Sequence, residues 1–241
     1  MAKDQFGFGT ERKDSEATVF SRLGHSLIPQ LGIEGSKAAI SLALQSDARR
    51  PEYSAIVKEL EKLAPKGVKV RSIDVSKKPF EVLKNPIAGA HYNPSTKTAY
   101  TAQRGINPNP GLLAHELGHA KQYTNPSSLI NKLQAPSRLA NYYNLTSIPL
   151  LFAKDESTAK TMAGVGTAAS VPLFAHEMDA SIKGRKMLMK AASKSGNKLG
   201  FLRSLAPFKG MPTYLLALAS PYLMYKYLKS KGQYKENKNG K

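Results

Sequence analysis

Apolar positions recur at helical spacing through much of the chain. From about Glu16 to Ser46, Val19, Leu23, Ala39, Ile40 and Leu44 follow such a period, and Pro29, Gly32 and Gly35 divide it into two predicted helices. Pro51 opens PEYSAIVKELEKLAP, whose Ile56, Leu60 and Leu63 form one face before Pro65-Lys66-Gly67 stops it. The period then changes. Val68 to Val75 alternates with period two, which predicts a strand, and a short helix is expected over Lys78 to Leu83. Ala88 to Tyr92 and Thr96 to Ala102 flank Asn93-Pro94-Ser95 and predict a hairpin. Asn107-Pro108-Asn109-Pro110 leads into a helix starting near Gly111. Beyond Tyr123 the pattern is helical up to a lysine-rich tail, with breaks expected at Asn125-Pro126, Pro136, Pro149 and Pro172. The expected class is α+β, mostly helical, with a short antiparallel sheet and a helical C-terminal half.

Composition narrows the chemistry. With 241 residues the chain can bury a core, and with no cysteine it has neither disulfides nor a thiol nucleophile nor thiolate metal ligands. The net charge of +19 is uneven. Residues 1–179 carry 22 Lys/Arg and 16 Asp/Glu, a net of +6, whereas residues 180–241 carry 14 and one, a net of +13. That excess points to an anionic partner, a membrane surface or a nucleic acid. Nucleic acid is the weaker choice, because no nucleic-acid fold signature is present and lysine dominates the tail. Met1 to Ser21 shows no signal-peptide pattern.

Three uncharged stretches, Leu139 to Ala153, Thr161 to His176 and Gly210 to Tyr225, hold 15, 16 and 16 residues. A membrane span takes about 20 mostly apolar residues, so these read first as buried helices. The first two form a predicted helical hairpin around KDESTAK. The third ends in tyrosines and lysines, a pattern favoured at a membrane boundary, so surface association is expected ahead of spanning.

The chemistry is carried by LLAHELGHA. His115 and His119 are four apart and project from one helical face, where both can bind one metal ion. Glu116 stands where a carboxylate can take a proton from water. Leu112, Leu113 and Leu117 give this helix a face to bury, and Gly118 permits close approach of another element. A third ligand is needed, and FAHEMDAS offers His176 or Glu177. Adjacent helical residues point about 100° apart, so only one of the two can serve. Asp179 or Ser181 would then fix the imidazoles by hydrogen bonds. His91 is a structural histidine or a substrate-side donor, and Tyr92 and Tyr123 are packing residues or oxyanion donors.

HELGHAKQ followed by HEMDAS, with HYNPSTKTAYTA before them, resembles the membrane-bound neutral zinc metallopeptidases of bacteria, which are gluzincin-like. The resemblance covers residues 68–190 and implies zinc held by His115, His119 and Glu177, with Glu116 as general base in peptide hydrolysis. In a related and larger family an aspartate four residues after the ligand glutamate orients a histidine; here that position is Ser181. The organisation it implies is an N-terminal helical region over 1–66, a zincin-like domain over 67–190 including the hairpin 139–176, and a basic apolar helix with its tail over 191–241. The expected partners are a peptide or protein substrate and an anionic membrane surface. The alternative is an assembly component, such as a part of a phage particle, that keeps the fold without the activity. Membrane association, a virion and a cytoplasmic assembly are the corresponding locations.

Overall fold

The computed structural model describes residues 52–74, 90–103, 109–124, 132 and 147–234. The helices expected over Glu16 to Ser46 and Lys78 to Leu83, and the breaks at Asn125-Pro126 and Pro136, lie outside the described residues. The chain divides into two compact units. In its described residues, one comprises 52–74, 90–103, 109–124, 132 and 172–215, and the other 147–171 with 216–234.

The first unit is α+β. Helix α1 (Glu52–Leu63) buries Ile56 and Leu60 of the predicted face, with Tyr53 and Val57 beside them, while Leu63 is only partly buried. Strand β1 (Lys69–Asp74) and the hairpin β2 (Ala90–Asn93) and β3 (Thr98–Gln103) form one sheet in the order β1-β3-β2. The hairpin turn is chemically local: the Asn93 side chain accepts from the backbone N–H groups of Ser95 and Thr96, at 3.0 and 3.2 Å. The β2–β3 pair is antiparallel as expected. β1, however, runs parallel to β3, with Lys69 opposite Thr98 and Asp74 opposite Gln103, so the sheet is mixed rather than antiparallel throughout. Alternation specifies which face a strand buries and is silent on pairing direction.

Helix α2 (Pro110–Tyr123) carries the H-E-x-x-H sequence. Asn109 caps it, its side chain accepting from Gly111 and Leu112 at 2.9 and 3.3 Å, and Pro110 occupies the first turn, where its missing N–H costs nothing. Leu113, Ala114 and Leu117 are fully buried in a core shared with α1, Ala99 of β3 and Leu188 and Ala191 further along.

Helix α3 (Glu156–Lys194) is 39 residues long and continues through Pro172, where the sequence predicts a break. A proline inside a helix removes one hydrogen bond and costs about 3 kcal/mol. Each flank has its own buried stripe, Ala159 and Ala163 before it and Leu173, Ala180, Leu188 and Ala191 after it, and this packing outweighs the local cost. Asp155 caps the start, accepting from the Thr158 N–H at 2.8 Å.

After α3 come the short helix α4 (Phe201–Ser204), a 3-10 turn over Ala206–Phe208 and α5 (Met211–Ser230). In the second unit, Leu150, Ala159, Ala163, Met224, Tyr225 and Leu228 form a separate core. Glu156 accepts from Tyr225 at 3.0 Å and pairs with Lys229. Of the expected hairpin 139–176, the first arm is described only from 147, and Ile148–Phe152 is a 3-10 helix rather than an α-helix. Among the described residues, no helix is long and apolar enough to cross a membrane.

Candidate metal centre

Two glycines bring together the elements that carry the candidate ligands. A Cβ on Gly118 would lie 2.0 Å from the Ala180 carbonyl oxygen, and one on Gly184 would lie 2.5 Å from that of Ala114. α2 and α3 therefore cross backbone against backbone, as the small residue at 118 predicts. Glu177 sits one turn before Ala180, and the crossing holds it against the imidazoles of α2.

The convergence is close. His115 Nε2 and His119 Nε2 each lie 3.2 Å from Glu177 Oε2 and 3.2 Å from one another. These three residues form a group that can hold a metal ion. His115, His119 and Glu177 are 9%, 9% and 5% exposed, so bulk water competes little for the donor atoms.

The remaining ring nitrogens decide the tautomers. Ser181 Oγ donates to the Pro207 carbonyl at 3.0 Å, which spends its only proton. It therefore accepts from His115 Nδ1–H at 3.1 Å. The Gln122 amide donates to the His176 carbonyl at 2.7 Å and to Asp179 Oδ2 at 2.9 Å, both of which are acceptors. Its oxygen is left for His119, and Nδ1–H donates to it at 2.9 Å. Both imidazoles thus carry a proton on Nδ1 and present Nε2 toward Glu177. Ser181 and Asp179, the residues expected to orient the histidines, both lie in this network, Ser181 directly and Asp179 through Gln122. Lys183 pairs with Asp179 in turn.

Charge in the cluster is strongly coupled. Burial works against ionisation of Glu177, yet the charge of His119 and hydrogen bonds from the histidines hold its carboxyl well below the usual range. For His119, burial disfavours the charged ring, but Glu177, Glu116 and Gln122 outweigh it and raise the imidazole from 6.5 to about 9. A proton or a metal ion can satisfy the same three atoms. Burial pushes the Glu116 carboxyl up, the charges on His115 and His119 pull it partly back, and the Tyr92 backbone N–H donates to it.

Other sequence candidates take different places. His176 is outside the metal-binding group; its ring stacks on His119 with centroids 4.9 Å apart, and its Nδ1 is 3.9 Å from Glu177 Oε1. His91 stacks on Tyr100, its register partner, at 4.6 Å. Strand alternation puts that pair on the sheet face opposite Tyr92 and Ala99, where α2 packs. Tyr92 packs on the core and against Tyr123, with ring centroids 5.4 Å apart.

Three contributors escape the sequence reading. Gln122 had a legible signal, three residues after His119 on the same helical face. The Pro207 carbonyl had none. Tyr214, at the start of α5, hydrogen-bonds Glu177 through its hydroxyl, and burial together with Glu177 and Glu116 raises its phenol well above the ordinary value.

No protein-family profile, curated protein or solved structure matches the chain.

Proposed function

We propose that the protein is a zinc-dependent peptidase similar to the neutral zinc metallopeptidases, with His115, His119 and Glu177 as zinc ligands and Glu116 as general base. One observation carries this reading: two imidazoles fixed as Nδ1–H tautomers face one carboxylate, with a second buried carboxylate, Glu116, alongside. The donor set suits zinc. Two imidazoles, both neutral once an ion displaces the proton that His119 shares with Glu177, favour a borderline transition ion over magnesium or calcium, which take oxygen ligands. A tetrahedral ion with bonds of about 2.0–2.1 Å separates its ligand atoms by about 3.3–3.4 Å, close to the 3.2 Å edges here.

Held by His115, His119 and Glu177, a zinc ion would supply Lewis acidity to a peptide carbonyl and would acidify water. Glu116 takes the proton of the attacking water and delivers it to the leaving amine. Burial, which raises the Glu116 carboxyl, suits a group that must both accept and release a proton near neutral pH. Strand β2 lies at the sheet edge, and its Tyr92 amide reaches Glu116, so an extended peptide added along β2 comes beside the base.

The test measures zinc content and cleavage of an unstructured protein substrate by the native chain and by Glu116→Gln. Stoichiometric zinc in both, with cleavage lost only in the variant, is the expected result. Zinc binding without cleavage by the native chain would favour the assembly-component alternative. Cleavage undiminished by Glu116→Gln would remove Glu116 from the mechanism.

A further inference from the structure

The unit that carries the metal-binding group has a second chemical feature, remote from it in kind. Between residues 180 and 209 the chain holds eight Lys/Arg and no Asp/Glu. At the turn from α3 into α4, Phe201 and Leu202 are 70% and 80% exposed, the two most exposed large apolar side chains among the described residues. Single exposed apolar residues are ordinary; two bulky neighbours at one turn are not.

Cations collar this tip. The Arg185 guanidinium lies 6.0 Å from the centre of the Phe201 ring, and its Nε donates to Ser204 Oγ at 3.3 Å, which ties α4 to this stretch of α3. Lys198 and Arg203, both exposed, flank the pair in sequence. Helical spacing extends the surface: Ile182 and Met189 stand three residues before and four after Arg185, on its stripe of α3, and are 42% and 41% exposed. The surface is therefore apolar at its tip and basic around it, with no carboxylate within the segment.

We propose that this surface docks the protein on an anionic lipid bilayer, with Phe201 and Leu202 entering the headgroup–acyl boundary and Arg185 and Lys198 facing lipid phosphates. Charge complementarity selects an anionic partner, and shape selects lipid among the anionic ones. A protruding Phe–Leu pair needs a matching pocket in a protein but only a deformable interface in a bilayer. Leu202 has no ring face on which a nucleic-acid base could stack. A weak apolar insertion and a basic cluster act together in attachment at a bilayer surface. The proposal does not depend on the metal site or its chemistry.

The experiment is vesicle flotation with phosphatidylcholine vesicles, with and without phosphatidylserine, at low and high salt. The full chain is expected to float with phosphatidylserine vesicles at low salt and to be released by high salt. The double substitution Phe201→Ser with Leu202→Ser should cut the bound fraction about tenfold or more. Arg185→Gln with Lys198→Gln should abolish the preference for phosphatidylserine. Gln at Lys235, Lys238 and Lys241 should leave the effect of the Phe201 and Leu202 substitutions intact. Unchanged circular dichroism and zinc uptake would show that the variants fold. No flotation of the native chain at low salt, flotation indifferent to the Phe201 and Leu202 substitutions, or capture of RNA without capture of vesicles would each overturn the proposal.

Discussion

At the scale of residues, the candidate centre depends on which nitrogen of each histidine holds a proton. His115 is set by a serine whose own proton is committed to a carbonyl, and His119 by an amide whose nitrogen faces two acceptors. These orienting bonds affect metal affinity as much as geometry does, because a freely rotating imidazole spends part of its time with Nε2 protonated or turned away. Ser181→Ala is therefore expected to weaken zinc binding about 10- to 100-fold, measured by competition with a chromogenic chelator. The secondary structure should be unchanged, since the substitution removes a single atom. Unaltered affinity would show that His115 does not need this partner. The relevant residue types were legible in sequence: H-E-x-x-H is contained in five positions, and Asp179 and Ser181 follow Glu177 closely. Gln122 shares the His119 face and so is legible from spacing, whereas Pro207 acts through its backbone, which a side-chain pattern cannot disclose.

At the scale of elements, the α2–α3 crossing decides whether the ligands meet. A Cβ on Gly184 would stand 2.5 Å from the Ala114 oxygen, 2.8 Å from its carbonyl carbon and 3.0 Å from the His115 Cα. All three are backbone atoms and cannot rotate aside. Gly184→Ala should force the helices apart, destabilising the fold by about 1–3 kcal/mol and removing zinc binding with it. Gly164, on the same helix, is the control, for nothing lies within 4 Å of a Cβ there and the position is exposed. Gly164→Ala should raise stability by about 0.5–1 kcal/mol through helix propensity alone. Thermal or urea unfolding of the two variants reads the contrast, and equal effects would argue that the crossing is looser than these distances. Pro172 shows the opposite relation between local rule and context. Its sequence predicts a break, but buried stripes on both sides keep α3 continuous. The hairpin turn was readable because its hydrogen bonds run between near neighbours; the parallel pairing of β1 was not, because strand direction is a property of two separated segments.

At the scale of the molecule, a metal ion would join stretches that are distant along the chain. His115 and His119 lie 62 and 58 positions from Glu177, and Ser181 links α3 to Pro207, 26 positions further on. A ligand that binds only the folded state stabilises it by mass action, about 2.7 kcal/mol at a concentration one hundred times the dissociation constant. Zinc should thus raise the melting temperature by several degrees, and a chelator should reverse the shift. Glu116→Gln should keep the shift and Glu177→Ala should lose it, which separates binding from catalysis. A melting temperature indifferent to zinc in the native chain would count against a metal held by this group. The uneven charge also belongs to this scale. The excess that begins after Asp179 lies beside an exposed Phe–Leu tip, a surface that composition alone leaves unlocated.

The sequence by itself determined the donors, their projection from one face of α2, the hairpin before them and the mostly helical α+β class, because each follows from spacing within a few residues. Only the tertiary structure decided how Glu177 comes against both imidazoles while His176 stacks on one of them, which nitrogens face inward, and that β1 joins the sheet in parallel. Those outcomes depend on atoms 26 to 66 positions apart or on strands paired across a sheet. Local spacing limits what such atoms can do, and packing selects which of them meet.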